Sequence, residues 1–181
     1  KSFFPVGWNQ NTYFEPFIGG GAMLFNLQPE KAVIADFNNR LVTFYSHTRD
    51  SHSELFAEIS AVAEAFNLQV GLDAKKKFFL ELRHEFNTNE KSSLRASALL
   101  YAINKLCFNG LYRENSKGEF NVPFGQKKSF PALKFEDFEQ AQKILKNSQI
   151  INQDFEKTMN IATEGDFIYL DPPYIPVNLT S

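Results

Sequence analysis

The chain has 181 residues, 43% of them apolar, with 20 Phe, three His, one Cys and a formal net charge of −2. One cysteine excludes an internal disulfide framework or a Cys-rich zinc site, and His47, His52 and His84 show no paired metal-ligand spacing, so no metal is expected. No apolar run approaches the roughly 18 residues of a membrane-spanning helix and the start has no signal-peptide core, so the expectation is a soluble, metal-free intracellular protein with no membrane association, one domain with or without an insertion.

In chain order, Thr12-Tyr13-Phe14 is β-prone and leads into Glu15-Pro16-Phe17-Ile18-Gly19-Gly20-Gly21. A helical run from Ala22 to Leu27 follows and stops before Pro29, which gives strand, glycine turn and helix. Ala32-Val33-Ile34-Ala35 predicts a short buried strand closed by Asp36, and Leu41, Val42, Phe44 and Tyr45 predict a helix behind it. The β-α-β-α order implies a parallel sheet. From residue 53 the period becomes helical, through Leu55, Phe56, Ile59, Val62, Ala63 and Phe66, then Phe78, Phe79, Leu82 and Phe86, then Leu94, Ala98, Leu99, Ala102 and Ile103. Residues 108–125 lack that period and predict a hairpin turn at Ser116-Lys117-Gly118-Glu119. A helix over 135–146, a strand at Gln149-Ile150-Ile151 ending near Asp154, and a strand from Asp166 to Asp171 then restore the alternation. The expected architecture is α/β, with 1–52 and 136–181 forming one domain and a mainly helical insertion over 53–135.

Charge divides along the same lines. Residues 75–134 hold twelve basic against five acidic side chains, whereas the remainder holds seven against sixteen. A basic middle between acidic ends fits one part that grips phosphates and another that does different chemistry, although solvated helix faces account for such a split equally well.

Two motifs carry chemistry. Asp171-Pro172-Pro173-Tyr174 sits at the carboxyl end of a predicted strand, where open α/β sheets place their ligands. The prolines stiffen the turn and leave the Pro172 carbonyl as an acceptor between a carboxylate and an aromatic ring. Such a turn accepts two hydrogen bonds from an exocyclic amine while its ring is stacked, the arrangement that methylation of a base amine needs; taken alone, it is also an ordinary proline turn. The glycine turn removes Cβ atoms where a ligand would approach the backbone, and Asp36 follows Gly19 at about the spacing at which an acid meets ribose hydroxyls, or else serves as a helix N-cap. Together they suggest a nucleoside site with no anchor for a diphosphate.

Glu15 to Gly21, Ala35-Asp36-Phe37-Asn38, the stretch from Asn104 to Gly125 and Asp171 to Tyr174, in this order, resemble the Dam-type (D12 class) DNA adenine-N6 methyltransferases over nearly the whole chain. The resemblance implies a Rossmann-like methyltransferase sheet with an inserted, mainly helical target-recognition domain. It also implies S-adenosylmethionine as cofactor, double-stranded DNA as partner, monomeric action, adenine in GATC as target and the cytoplasm of a bacterium or phage-infected cell as location. By likeness Phe17, Gly19 and Gly21 would line the methionine and adenosine, Asp36 would meet the ribose, and Asp154 and Phe155 would lie beside the cofactor adenine; on their own residues these last two read equally as a solvated strand end and a core aromatic. Asp171 and the Pro172 carbonyl would hold N6, with Pro173 stiffening the turn and Tyr174 stacked on a flipped-out adenine. Phe108 would wedge into the base stack, Asn109, Leu111 and Arg113 would meet bases, and Pro123 would touch a thymine methyl. Lys105 and Asn115, with Lys127 and Lys128, would take phosphates. Without the resemblance, Phe108 would be expected in the core. Cys107 is expected to be a buried apolar residue rather than a nucleophile.

Two departures bear on completeness. The sequence begins at Lys1, where the family carries a preceding Trp-Ala-Gly-Gly-Lys segment, and it stops seven residues past the last motif, where the family continues with a further helix and strands. The resemblance therefore implies an incomplete catalytic domain with an exposed sheet edge, and leaves open an amino-methyltransferase of another DNA target or an inactive DNA-binding fragment.

Overall fold

A computed structural model describes Phe4 and residues 7–173. Among the described residues the chain forms four strands, β1 (Tyr13–Glu15), β2 (Ala32–Asp36), β3 (Ser148–Asn152) and β4 (Phe167–Ile168). Seven α-helices accompany them: α1 (Ala22–Leu27), α2 (Asn39–Asp50), α3 (His52–Asn67), α4 (Gly71–Thr88), α5 (Leu94–Leu106), α6 (Phe135–Leu145) and α7 (Phe155–Met159). They fall into two compact units, residues 1–38 with 147–181, and residues 39–146.

The sheet unit is the α/β part. Its strands are all parallel in the order β3-β2-β1-β4, with Phe14 beside Val33 on one side and Ile168 on the other. The chain steps outward from β1 to β2 to β3 and then returns to the opposite side of β1. The carboxyl ends of β1 and β4 are therefore the switch point at which such sheets open a crevice. Alternation is absent because both faces are covered: Tyr13, Phe14, Glu15 and Ala32 to Ala35 are all buried. The last strand pairs for less than its predicted length, since β1 has only three residues to offer it; the Tyr169 N–H still donates to the Phe14 carbonyl at 2.8 Å.

The helical unit has its own core. The 3.6-residue period buries Leu55, Ile59, Val62 and Phe66 of α3 against Phe79, Leu82 and Phe86 of α4 and the small-residue face of α5. Helix α5 is buried at Ala96 to Leu100, Ala102, Ile103 and Leu106, so it is enclosed nearly all round by its neighbours. Both α2 and α6 pack within this unit. The contact boundary thus falls at 38/39 and 146/147 rather than at the expected 52/53 and 135/136, because the apolar faces of α2 and α6 find helices as partners. Arg95 ties the bundle together across three helices through Glu85, at 2.8 and 2.9 Å, and Glu58, at 3.5 Å.

Candidate functional site

The sheet unit places its acidic and glycine-rich segments around one cleft of about 370 Å³, within the range of small-molecule sites. Phe17, Gly19, Asp36, Asp154, Phe155 and Asp171, six of the residues singled out by sequence, line it. After β1 the chain turns through Gly19 (φ 46°) and Gly21 (φ 70°), left-handed conformations that favour glycine. A Cβ at Gly20 would meet nothing within 4 Å, so the backbone there is open to a ligand. Gly21 is buried and leads directly into α1.

Asp36 holds this turn. Its Oδ2 accepts from the Gly19 N–H at 3.1 Å and its Oδ1 from the Asn38 N–H at 2.8 Å, which makes it the clasp between the two loops that leave β1 and β2. Each oxygen retains a lone pair for a further donor. Asn152, at the end of β3, donates to the Asp36 and Phe37 carbonyls at 2.9 and 3.0 Å and fixes the same loop from the other side. Asp154 is an N-cap rather than a bare strand end: it accepts from the Glu156 N–H at 2.9 Å and starts α7, whose first residue, Phe155, stacks on Phe17 with ring centroids 5.1 Å apart. Phe155 is therefore not a core aromatic, and it remains 37% exposed.

Sequence reasoning gave no role to three residues here. Phe37, directly after Asp36, is 83% exposed and lines the cleft, and Gln153 lines it too; an aromatic following an acid at a strand end was the available signal. The third is Glu15, buried at the carboxyl end of β1. Burial pushes its carboxyl up to about 7, against hydrogen bonds from the Tyr13 hydroxyl (2.8 Å) and the Leu24 N–H, and with a further push from the Asp171 carboxylate. Burial, with Glu15 as partner, also keeps the Tyr13 phenol protonated. The native carboxyl of Glu15 keeps a proton that the unfolded chain releases above pH 4.5. Its contribution to stability is accordingly greatest below that value and declines until about pH 7.

Among the described residues the lining carries three carboxylates, Asp36, Asp154 and Asp171, and no basic side chain, with Phe17, Phe37 and Phe155 as aromatic surface. It suits a cationic, ring-bearing ligand and repels a phosphate. Pro173 also lines the cleft and Pro172 is exposed beside it, while Tyr174 lies outside the described residues.

The helical unit presents the other group of predicted residues. Residues 107–124 form a hairpin, bridged antiparallel at Cys107 with Phe124 and at Glu114 with Phe120. Its tip closes on Asn115, whose Oδ1 accepts from the Lys117 and Glu119 N–H groups and whose Nδ2 donates to Glu119, so its amide is engaged within the turn. At its base Phe108–Gly110 makes one 3₁₀ turn with Asn109 (φ 53°) and Gly110 (φ 63°) left-handed, pinned by Asn104 Nδ2 on the Gly110 carbonyl at 2.8 Å. That turn lifts Phe108 and Leu111 out of the core, each 52% exposed. Arg113 is exposed and donates through Nε to Asn121 Oδ1 at 2.8 Å, a bond that does not use the terminal nitrogens with which a guanidinium reads a base edge. Pro123, Lys127 and Lys128 are exposed, and Lys105 is exposed with its ammonium over the Tyr101 ring at 5.2 Å. Cys107 is fully buried, and burial raises its thiol. Among the described residues no group of three or more His, Cys, Asp or Glu could hold a metal, and no helix is long and apolar enough to cross a membrane.

Compared with known proteins, the sequence matches the family model of the D12 class N6 adenine-specific DNA methyltransferases over residues 1–181. It is 37% identical over 179 residues to the type II methyltransferase M.MjaIII of Methanocaldococcus jannaschii, covering 96% of this chain and 62% of that protein. It is 40% identical over 177 residues to the type II methyltransferase M1.LlaDCHI of Lactococcus lactis subsp. cremoris, covering 94% and 59%. A DNA adenine methylase of Serratia marcescens is 33% identical over 168 residues, covering 92% and 59%. The chain thus spans about three fifths of the length of these relatives.

Proposed function

The chain belongs to the D12 class of N6 adenine-specific DNA methyltransferases, and from that premise we propose that it serves a site-specific enzyme of bacterial or phage-infected cytoplasm that methylates N6 of adenine in duplex GATC. The observation that carries this reading is the carboxylate-lined, aromatic-walled cleft at the switch point of the sheet, with Asp171 at its rim.

The cleft fits S-adenosylmethionine on chemical grounds: cationic groups suit three carboxylates, a ribose suits Asp36, and a purine suits exposed Phe37 and Phe155. Bound there, the cofactor would supply an electrophilic methyl on a sulfonium that leaves as a neutral thioether. Asp171 would accept one N6–H and the Pro172 carbonyl the other, which draws the amine lone pair out of conjugation with the ring and towards the methyl, and the lost proton passes to solvent. Tyr174 would stack on an adenine rotated out of the duplex. The exposed pair Phe108 and Leu111 at the base of the hairpin supports a wedge and a base contact, and Arg113 supports readout of a guanine. Residues 53–135 would form the target-recognition domain.

Transfer of labelled methyl from S-adenosylmethionine to two duplexes that differ only in one GATC tests the whole reading. Label confined to the intact site supports it, label on both duplexes discards GATC for another target, and label on neither leaves an inactive DNA-binding fragment. Within the reading, Arg113→Ala is expected to cost about 1 to 3 kcal/mol of discrimination at one guanine, whereas Lys105→Ala weakens all duplexes alike; filter binding at fixed salt distinguishes them, and equal losses on every sequence for both variants would sink the recognition assignment.

Glu15 gives a pH dependence. A cation bound near it favours the ionised form, so cofactor affinity is expected to climb by up to about tenfold per pH unit as the medium approaches pH 7, then level off. Equilibrium dialysis between pH 5.5 and 8 measures this, and Glu15→Gln should flatten the profile; a flat profile in the unaltered protein would refute the coupling.

A further inference from the structure

The hairpin, read here as the part that meets DNA, is held from one side by α4. Helix α4 faces its returning arm with side chains one turn apart. Asn87 Oδ1 accepts from the Phe120 N–H at 2.9 Å, while its Nδ2 donates to the Phe120 carbonyl at 3.1 Å. A single carboxamide thus satisfies both backbone groups of Phe120, as a neighbouring strand would. Arg83 adds a bond from Nη1 to the Val122 carbonyl at 3.3 Å, and the Phe86 ring meets the buried Phe120 ring edge-on at 6.0 Å.

The residue after Phe120 is the one that orients Arg113. Asn121 donates its N–H to the Arg113 carbonyl at 3.1 Å and accepts from Arg113 Nε at 2.8 Å. A continuous path therefore runs from α4 through Phe120 and Asn121 to the guanidinium. Asn87 itself is only half-buried, and α4 meets the core through Phe79, Leu82 and Phe86, so the core does not require an amide at this position.

We propose that Asn87 is a positioning residue for sequence discrimination: it sets the height of the hairpin against α4 and so fixes where Arg113 points. Asparagine is called for because the carboxamide presents a donor and an acceptor together at this reach. Aspartate keeps the acceptor and turns a lone pair on the Phe120 carbonyl, and leucine offers neither.

The test uses Asn87→Asp and Asn87→Leu in the full chain, with Arg113→Ala alongside, and compares kcat/KM on the intact site with that on a duplex changed at one G·C pair. The ratio is expected to fall about tenfold for both Asn87 variants, the scale of one lost paired base contact, through KM for DNA, while S-adenosylmethionine affinity holds. In the Arg113→Ala background the same changes should add less than about twofold, because the affected residue is already gone. Asn121→Ala breaks the path without touching α4 and should reproduce the loss, which keeps the test open if an Asn87 variant folds poorly. Discrimination retained by the Asn87 variants and Asn121→Ala while Arg113→Ala loses it, or fully additive losses, would overturn the proposal. No effect of Arg113→Ala would instead overturn the recognition reading on which the proposal rests.

Discussion

Asp171→Ala is expected to slow methyl transfer by roughly 10²- to 10³-fold in single-turnover quench experiments at saturating cofactor and DNA, the scale of losing one preorganised electrostatic partner of a transition state. An exocyclic amine on adenine is a poor nucleophile until its hydrogens are held by acceptors that reshape the nitrogen. On the proposed reading Asp171 is the ionisable acceptor beyond the carboxyl end of β4, where it lines the cleft together with Pro173. Asp171→Asn keeps an acceptor oxygen but loses the charge, and should retain more activity than alanine. A rate within tenfold of the unaltered protein would remove Asp171 from the chemistry. Asp171 also raises the Glu15 carboxyl, so its loss should move the midpoint of cofactor binding slightly below pH 7.

The largest effect expected on folding comes from Gly125→Ala. A Cβ there would collide with the Cys107 carbonyl oxygen and lie 2.8 Å from its carbon and 2.9 Å from the Leu106 oxygen. These are backbone atoms at the end of α5, so no rotamer change relieves the clash. The approach is itself bonded, since the Gly125 N–H donates to the Leu106 carbonyl at 2.8 Å. Helix α5 is enclosed along nearly its whole length and cannot move aside. The cost is expected to be about 3 kcal/mol. At about 4 °C per kcal/mol for a unit of this size, thermal unfolding should shift by roughly 10 °C. Gly118→Ala is the control: its nearest neighbour would be Glu114 Oε2 at 3.8 Å, and only the left-handed backbone (φ 72°) resists it, at about 1 kcal/mol. Equal shifts for the two variants would refute the argument from close approach.

These effects show which parts of the molecule were legible beforehand. The strand at Ala32 to Asp36, the glycine turn and the run of three helices were readable because each rests on local pattern: an uninterrupted apolar run, missing Cβ atoms, or a period of 3.6. Helix α7 was not, since five residues are too few to show a period, and its start is marked only by Asp154 acting as a cap. The allegiance of α2 was not legible either, because an amphipathic face reads the same whether a sheet or another helix covers it. Phe37 and Glu15 were missed for a related reason. Their exposure and protonation depend on what surrounds them in space, and the sequence around each shows only a strand end. Asn115 illustrates the converse: the likeness offered its amide to a phosphate, and the turn it closes engages both ends of that amide.

The strand order has a consequence for the order of assembly. Strand β1, which precedes both of its neighbours in the chain, lies between β2 and β4, so one of its edges lacks the β4 partner until residues 167–169 emerge. Between them comes the whole of residues 39–146, a contiguous unit with its own core. Loop-closure entropy grows with the length of flexible chain between paired strands, and a unit that has already condensed contributes only the distance between its ends. Early condensation of the helical unit is therefore expected to lower the entropy cost of closing the sheet. Mutations that weaken its core, such as those at Leu99 or Ile103, are expected to slow pairing of β1 with β4 and to prolong exposure of an unpaired strand edge, a route to aggregation that begins far from the sheet.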